Sequence, residues 1–351
     1  MIFRTQKTVE SATPIQLKAK IGTNVSDLIL HGLGWVGAVV PLIAVVFIAV
    51  VLVVNAFPSI LYNGLGFFYH QVWNFGNFYN NATVTQNGVK APLGASYGAL
   101  PFITGTLLTS IIAFIVGVPI AVGAALIMVE KIPAQLRNSL SFFLELLAGI
   151  PSVVYGLWGL IILGPYLSAH VYPLLAKLGA IIPWLSGPVG SGQGLLTAGL
   201  VLAVMIIPIV ASTTRDLLAQ VPTLPREGAL ALGLTAWDSV CKVSVPWVLS
   251  GIIGATILGW ARALGETMAV LIISGNGANA LPANIYSPIS TIASAIVALL
   301  DSAESDPTRL AVSTLAEAGL VLMVITLVTN IIARLLVRRV SVTSLPLGRG
   351  V

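Results

Sequence analysis

E-G-A-L-A-L-G-L-T-A-W-D-S-V-C-K-V-S-V-P, residues 227–246, is a polar segment held between two long apolar stretches. Just upstream, Thr223 followed by Leu224-Pro225 predicts a helix start, because proline is tolerated in a first turn. Glu227 then sits near the positive end of that helix. Gly233 predicts its end, and Thr235-x-x-Asp238 has the spacing of a capping box that opens a second helix. Two short helices joined at a glycine and lying outside the apolar runs would leave Leu230, Leu232 and Trp237 in water. Uncovered apolar faces of this kind call for a partner protein.

The rest of the chain sets the class. Of its 351 residues 57% are hydrophobic and 8% charged, where about 25% charged is usual in a soluble protein. The mean hydropathy is +0.98. Crossing a hydrocarbon core of roughly 30 Å takes about 20 helical residues. Six runs qualify, near Leu33–Ala56, Ile103–Met128, Leu140–Leu163, Leu195–Val210, Trp247–Ser274 and Leu315–Val337. Pro119, Pro151 and Pro208 fall in or at these runs, where neighbouring helices can satisfy the freed carbonyls. The first run is longer than a secretory core of about 7–15 residues, so it reads as a retained first helix. The expected fold class is all-α, a polytopic membrane protein with six transmembrane helices.

Lysine and arginine positions orient these spans. Arg4, Lys7, Lys18 and Lys20 precede the first; Lys131 and Arg137 follow the second; Arg215, Arg226 and Lys242 follow the fourth; Arg334, Arg338, Arg339 and Arg349 end the chain. The other side has only Lys90, Lys177 and Arg309, and Arg262 falls inside a span. Positive charge collects on the cytoplasmic side, which places both termini and the 227–246 loop there. This asymmetry accounts for the net charge of +5 without invoking nucleic acid. A single cysteine, Cys241, excludes an internal disulfide and a multi-cysteine metal site, and no phosphate-binding G-x-x-x-x-G-K-[ST] loop occurs. No cofactor is implied.

Arg262 and Glu266 are the charged residues expected in the bilayer. Four apart, they would share a helix face and pair. An arginine near a helix centre costs at least about 2.5–3.5 kcal/mol, so it is kept for a role or a partner. Its planar fork of donors suits a passing oxyanion. Glu266 would then hold the arginine in place, and the next residue, Thr267, joins the same substrate path. Ser152, after the helix-breaking Pro151, is a further candidate for lining a polar path. Glu317, at the outer end of the sixth span, reads as solvated or capping.

The 227–246 loop resembles the EAA motif of type I ABC importer permeases in Glu227, Ala229 and Gly233 and in its Val243-x-Val245-Pro246 ending, with Gly228 where alanine is usual. Further segments resemble the PstC-type permeases of phosphate importers: P-F-I-T-G-T-L-L-T-S (101–110), E-L-L-A-G-I-P-S-V-V-Y-G-L-W-G (145–159), L-T-A-G-L-V-L-A-V-M-I-I-P-I (196–209) and R-A-L-G-E-T-M-A-V (262–270). The resemblance implies a type I ABC importer (MetI-like) permease fold and uptake of inorganic phosphate. It implies a PstA-type second permease subunit, two ATP-binding subunits and an external phosphate-binding protein as partners, beside membrane lipid. On this reading Glu227, Ala229, Gly233 and Pro246 couple to the ATPase, and Arg262, Glu266, Ser152 and Thr267 lie on the substrate path. The chain divides into a cytoplasmic segment 1–32, the first helix 33–56, an external segment 57–98, a five-helix permease domain 99–337 with coupling loop 214–246, and a tail 338–351. Rival readings are a permease for sulfate, molybdate or tungstate, and, further off, a gradient-driven secondary transporter.

Orientation is directly testable. A cysteine replacing Lys131 should react only with membrane-permeant thiol reagents, and one replacing Lys90 with impermeant ones; the reverse pattern would invert the topology.

Overall fold

The computed structural model describes residues 25–77, 82–277 and 279–343. Arg4, Lys7, Lys18, Lys20 and Arg349, with most of the segments expected at 1–32 and 338–351, lie outside the described residues. The chain divides into two units, Met1–Val50 and Val51–Val351. In the first, the described residues are helical and their apolar side chains, Leu33, Trp35 and Phe47 among them, are exposed, as on a lipid-facing helix.

Among the described residues six helices are long and apolar enough to cross a membrane: Ile29–Asn63, Leu100–Glu130, Ser152–Ala180, Leu195–Ala219, Ala236–Leu264 and Leu310–Leu335. The six-span, helical fold class therefore holds, while several boundaries move. The fourth span is the most enclosed, and the second packs along its length. Small residues permit this close approach. A Cβ on Gly117 would lie 2.9 Å from Ile206 Cγ1, and one on Gly199 2.5 Å from Ile112 Cγ2. The fourth span runs through Pro208 to Ala219, past the end expected at Val210.

The third span is displaced from Leu140–Leu163. Ala134–Gly149 is a separate helix, ended where Ile150 becomes extended (φ −66°, ψ 131°) before Pro151. Proline forces its predecessor out of the helical region, and Arg137 and Glu145 make that segment too polar for hydrocarbon. The span begins afresh at Ser152 and passes through π-helical turns at Gly159–Leu163 and Leu167–Val171.

The fifth span is likewise redrawn. Ala236–Ser239, a π turn at Val240–Ser244 and Val245–Leu264 form one membrane-length helix, which stops at Leu264 and restarts as Met268–Ile273. The expected loop 214–246 thus contains the end of the fourth span and the start of the fifth.

The segments outside the spans hold structure that hydropathy does not signal. Thr83–Gln86 pairs antiparallel with Val89–Pro92, and Trp73–Asn74 with Ser96–Tyr97. Asn87 and Gly88 turn the hairpin with φ of 52° and 80°, the left-handed pair that an Asn-Gly hairpin favours. Trp73, Tyr97, Phe67 and Phe102 form an edge-to-face aromatic core beneath it. Burial pushes the Tyr97 hydroxyl above its ordinary pKa, and the charge of Asp306 adds to the effect. A short helix, Ile292–Glu304, is opened by a Thr291/Ser294 capping box and tied to the second span by Ile292 N donating to Thr106 Oγ1 at 2.9 Å.

Glu317 is neither solvated nor a cap. It is 3% exposed, two turns inside the helix Leu310–Thr343, and accepts from Ser59 Oγ at 2.6 Å and Asn63 Nδ2 at 3.4 Å. The first helix continues to Asn63, beyond the expected Ala56, and this extra turn brings it the polar partners. Ser59→Ala would leave a buried carboxylate short of a donor, so we expect a loss of about 1–3 kcal/mol. Thermal unfolding in detergent should show it, with Glu317→Gln milder; an unchanged Ser59→Ala protein would mean that Glu317 has other support.

Candidate functional site

The residues singled out by the sequence fall in two clusters, one where the third and fifth spans meet and one at the 227–246 loop. They are joined by the helix of the fifth span, along which Pro246 and Arg262 are roughly 24 Å apart at 1.5 Å per residue.

The inner cluster forms where the start of the third span meets the restart of the fifth. Gly156, one turn past Ser152, abuts Ala269, two residues past Thr267; a Cβ on Gly156 would stand 2.9 Å from Ala269 Cα. The start of the third span and the restart of the fifth are thereby packed backbone to backbone. Ser152 is half-buried at the first of these helix starts, and Thr267 is half-buried at the N-cap of the second, its hydroxyl donating to Gly265 O at 3.2 Å. Tyr155, buried beside them, donates to Leu147 O at 2.7 Å and so ties the third span to the separate helix before it.

Arg262 and Glu266 do not form the pair that their spacing predicts. The helix carrying Arg262 ends at Leu264, Gly265 leaves the helical path, and the four-residue face is lost. Glu266 instead turns its Oε1 toward Ala269 N at 3.4 Å, capping Met268–Ile273 as a side-chain acceptor does at a helix start. Arg262 is exposed at the surface of the chain, within electrostatic reach of Tyr155. None of the ion pairs among the described residues involves it. It lies in the last turn of Val245–Leu264, where a cation complements the negative end of the helix.

The loop cluster keeps the predicted helix start, glycine turn and threonine cap, but its second helix is not a separate short one and runs on into the fifth span. Thr223–Ala231 is a helix with Ala229 buried and Glu227 exposed. Gly233 N donates to Leu230 O at 2.9 Å and Leu234 N to Ala229 O at 3.1 Å, the paired bonds of a Schellman turn. Gly233 has φ +85°, with open space where a Cβ would stand, so the glycine serves conformation and not packing. Thr235 Oγ1 accepts from Asp238 N at 3.1 Å, and Lys242 reaches Asp238 at 2.7 Å. Pro246 sits just past the π turn at Val240–Ser244, inside the continuous helix Ala236–Leu264, at the point where the bonding pattern changes. Leu232 is 84% and Trp237 65% exposed, on a surface the chain itself leaves bare.

Two contacts here are not evident from spacing. Arg226 pairs with Glu130 at the end of the second span, and Arg215, 9% exposed, reaches Asp216 at 2.7 Å and Glu145 at 3.5 Å. Their signal was compositional: Glu130 and Glu145 are isolated acids at span boundaries, but their partners lie 96 and 70 residues away and fold alone brings them in.

Residues 90–342 match the family described as binding-protein-dependent transport system inner membrane component. The chain is 56% identical over 325 residues to the phosphate transport system permease protein PstC 1 of Mycobacterium tuberculosis, covering 92% of this chain and 96% of that one. It is 40% identical to the PstC permease protein of Pasteurella multocida, covering 83% and 85%. Among solved structures it is similar to the inward-facing MetNI methionine ABC transporter, at 17% identity and a TM-score of 0.46, covering 69% of this chain and 94% of that one.

Because Glu266 caps a helix and Arg262 faces away from the chain, substituting both should have independent effects. In Arg262→Gln, Glu266→Gln and the double variant, the stability changes of the purified protein should add within about 0.5 kcal/mol. A double variant more stable than either single would restore the ion-pair reading.

Proposed function

The chain belongs to the PstC-type permeases of binding-protein-dependent phosphate importers, and from that premise we propose how its two clusters divide the work. As a family member it is a multi-pass inner-membrane subunit that works with ATPase and binding-protein partners to import inorganic phosphate. In the finer reading these partners are a PstA-type second permease, two ATP-binding subunits that perform the hydrolysis, and an external phosphate-binding protein, with both termini cytoplasmic. The permease domain is 99–337, and its coupling loop centres on Glu227, Ala229, Gly233 and Pro246.

The observation that carries the assignment of roles is the exposed, unpaired Arg262 inside an apolar span. Among the described residues it has no counter-charge, so a passing phosphate can draw on its full set of donors. A second permease covering this face would enclose a path between the two chains, with Arg262 on its wall and with Ser152, Glu266 and Thr267 at the two helix starts beside it. Breaks in spanning helices at mid-depth are where transporters expose backbone and hydroxyl groups to substrate without opening the helix to lipid. The guanidinium favours a doubly charged tetrahedral anion, and Glu266, already engaged as a cap, stays out of the arginine's way.

At the other end, Leu232, Trp237 and the turn at Gly233 form the surface that an ATP-binding subunit would cover. Its closure on ATP would push on Thr223–Ala231, and the unbroken helix from Ala236 to Leu264 would carry that movement toward Arg262.

Uptake and ATP hydrolysis measured on the reconstituted importer test both roles. Arg262→Gln should assemble normally and lose phosphate uptake. Gly233→Val places a β-branched residue at a left-handed position, a strain of about 1–2 kcal/mol, and should weaken ATPase association or uncouple hydrolysis from uptake. Full uptake in Arg262→Gln would remove Arg262 from the path, and normal coupling in Gly233→Val would remove the loop from docking.

A further inference from the structure

Glu130 closes the sequence L-I-M-V-E at 126–130 and is the only acid in the second span, and Arg226 is the only base in the loop helix T-L-P-R-E-G-A-L-A. The fold brings them together: Arg226 Nη2 donates to Glu130 Oε2, with side chains 30% and 14% exposed. The other carboxylate oxygen, Glu130 Oε1, is buried and has no donor among the described residues, where Arg226 is the partner of this carboxylate. Losing it would strand a largely buried charge.

The surroundings show what the pair connects. The loop helix Thr223–Ala231 is tied by backbone to two spans. Gln220–Pro222 leads directly into it from the fourth span, and the Schellman turn at Gly233 leads on into the continuous helix of the fifth. It has no such link to the second span. The second span's apolar packing at this end is with the fourth and fifth spans, Ala125 and Val129 against Leu218, Val221 and Val248, and a cavity of about 230 Å³ lies between its Leu126 and Ile127 and the start of the fifth span at Ala236, Trp237 and Val240. The second span nonetheless has to move with the others, since it lies along the fourth at Gly117 and Gly199.

We propose that Glu130 and Arg226 are positioning residues for coupling, a polar link that carries displacement of the loop helix to the second span. The inference rests on the loop's proposed docking role. In an apolar boundary region a paired guanidinium and carboxylate transmit both push and pull, because separation in either direction exposes unpaired charge. The second span would thus follow the same stroke that reaches the fourth and fifth by backbone.

The test uses the full importer in proteoliposomes with the phosphate-loaded binding protein. Glu130→Gln, Arg226→Gln and the exchanged pair Glu130→Arg/Arg226→Glu are compared for ATPase co-purification, ATP hydrolysis and phosphate moved per ATP. Each single variant should keep the ATPase bound and hydrolysing while phosphate moved per ATP falls about tenfold, and the exchanged pair should recover most of it. An unchanged ratio in the singles overturns the inference. If a single variant fails to assemble, the exchanged pair decides: restored assembly with a restored ratio supports the link, and restored assembly without it reduces the pair to a structural clasp. Failure of the docking reading is separately visible, as normal coupling in Gly233→Val.

Discussion

Inside hydrocarbon a backbone group without a partner is too costly to leave open, so a spanning chain is helical wherever lipid can reach it. In this protein the third span starts afresh after Ile150–Pro151, the fifth is broken at Gly265–Thr267, and the helices that follow pack together through Gly156 and Ala269. The absence of a side chain at Gly156 is what lets the two helices meet. The inner cluster depends on this contact. It brings the helix starts at Ser152 and Thr267 together, leaves Glu266 to cap the restarted helix, and ends the preceding helix just after Arg262.

Around that contact the bundle is assembled from close approaches of small residues. Gly117 and Gly199 let the second and fourth spans lie almost in backbone contact, and Gly105 receives the carbonyl of Ser290, to which a Cβ would come within 2.2 Å. Lipid tails are as apolar as leucine, so such packing, with a few buried polar bonds, is what distinguishes one helix neighbour from another. Glu317 with Ser59 and Asn63 is one such polar set, and Glu130 with Arg226 is another at the opposite end of the bundle. Both set polar side chains against specific partners among apolar helices, which makes the register of those helices specific.

The loop helix and the fifth span illustrate how a surface event can reach the interior. From Ala236 to Leu264 there is no interruption in helical path, only a π turn at Val240–Ser244 that accommodates one extra residue. A stiff helix transmits displacement along its axis, and this one ends at the arginine. The Schellman turn at Gly233 holds the loop helix at a set angle to it, so pressure on the bare leucine and tryptophan surface is not absorbed locally.

Much of this was legible in the residues. Local grammar determined the loop: proline at a helix start, glycine at a positive φ and threonine capping over three residues act within one or two turns, and the fold did not override them. Hydropathy determined that there are six spans, since that property is summed over about 20 residues and tolerates error at the ends. Tertiary structure decided where breaks fall and which charges meet. Pro208 leaves its helix intact among close neighbours, whereas Pro151 starts a new one, a difference that lies in the packing and not in proline itself. Arg262 and Glu266 have the spacing of a pair, yet one glycine between them unwinds the helix that would have joined them. Glu317, Glu130 and Arg226 look unremarkable along the chain because each finds its partner across the bundle, at a distance in sequence where no periodicity can speak.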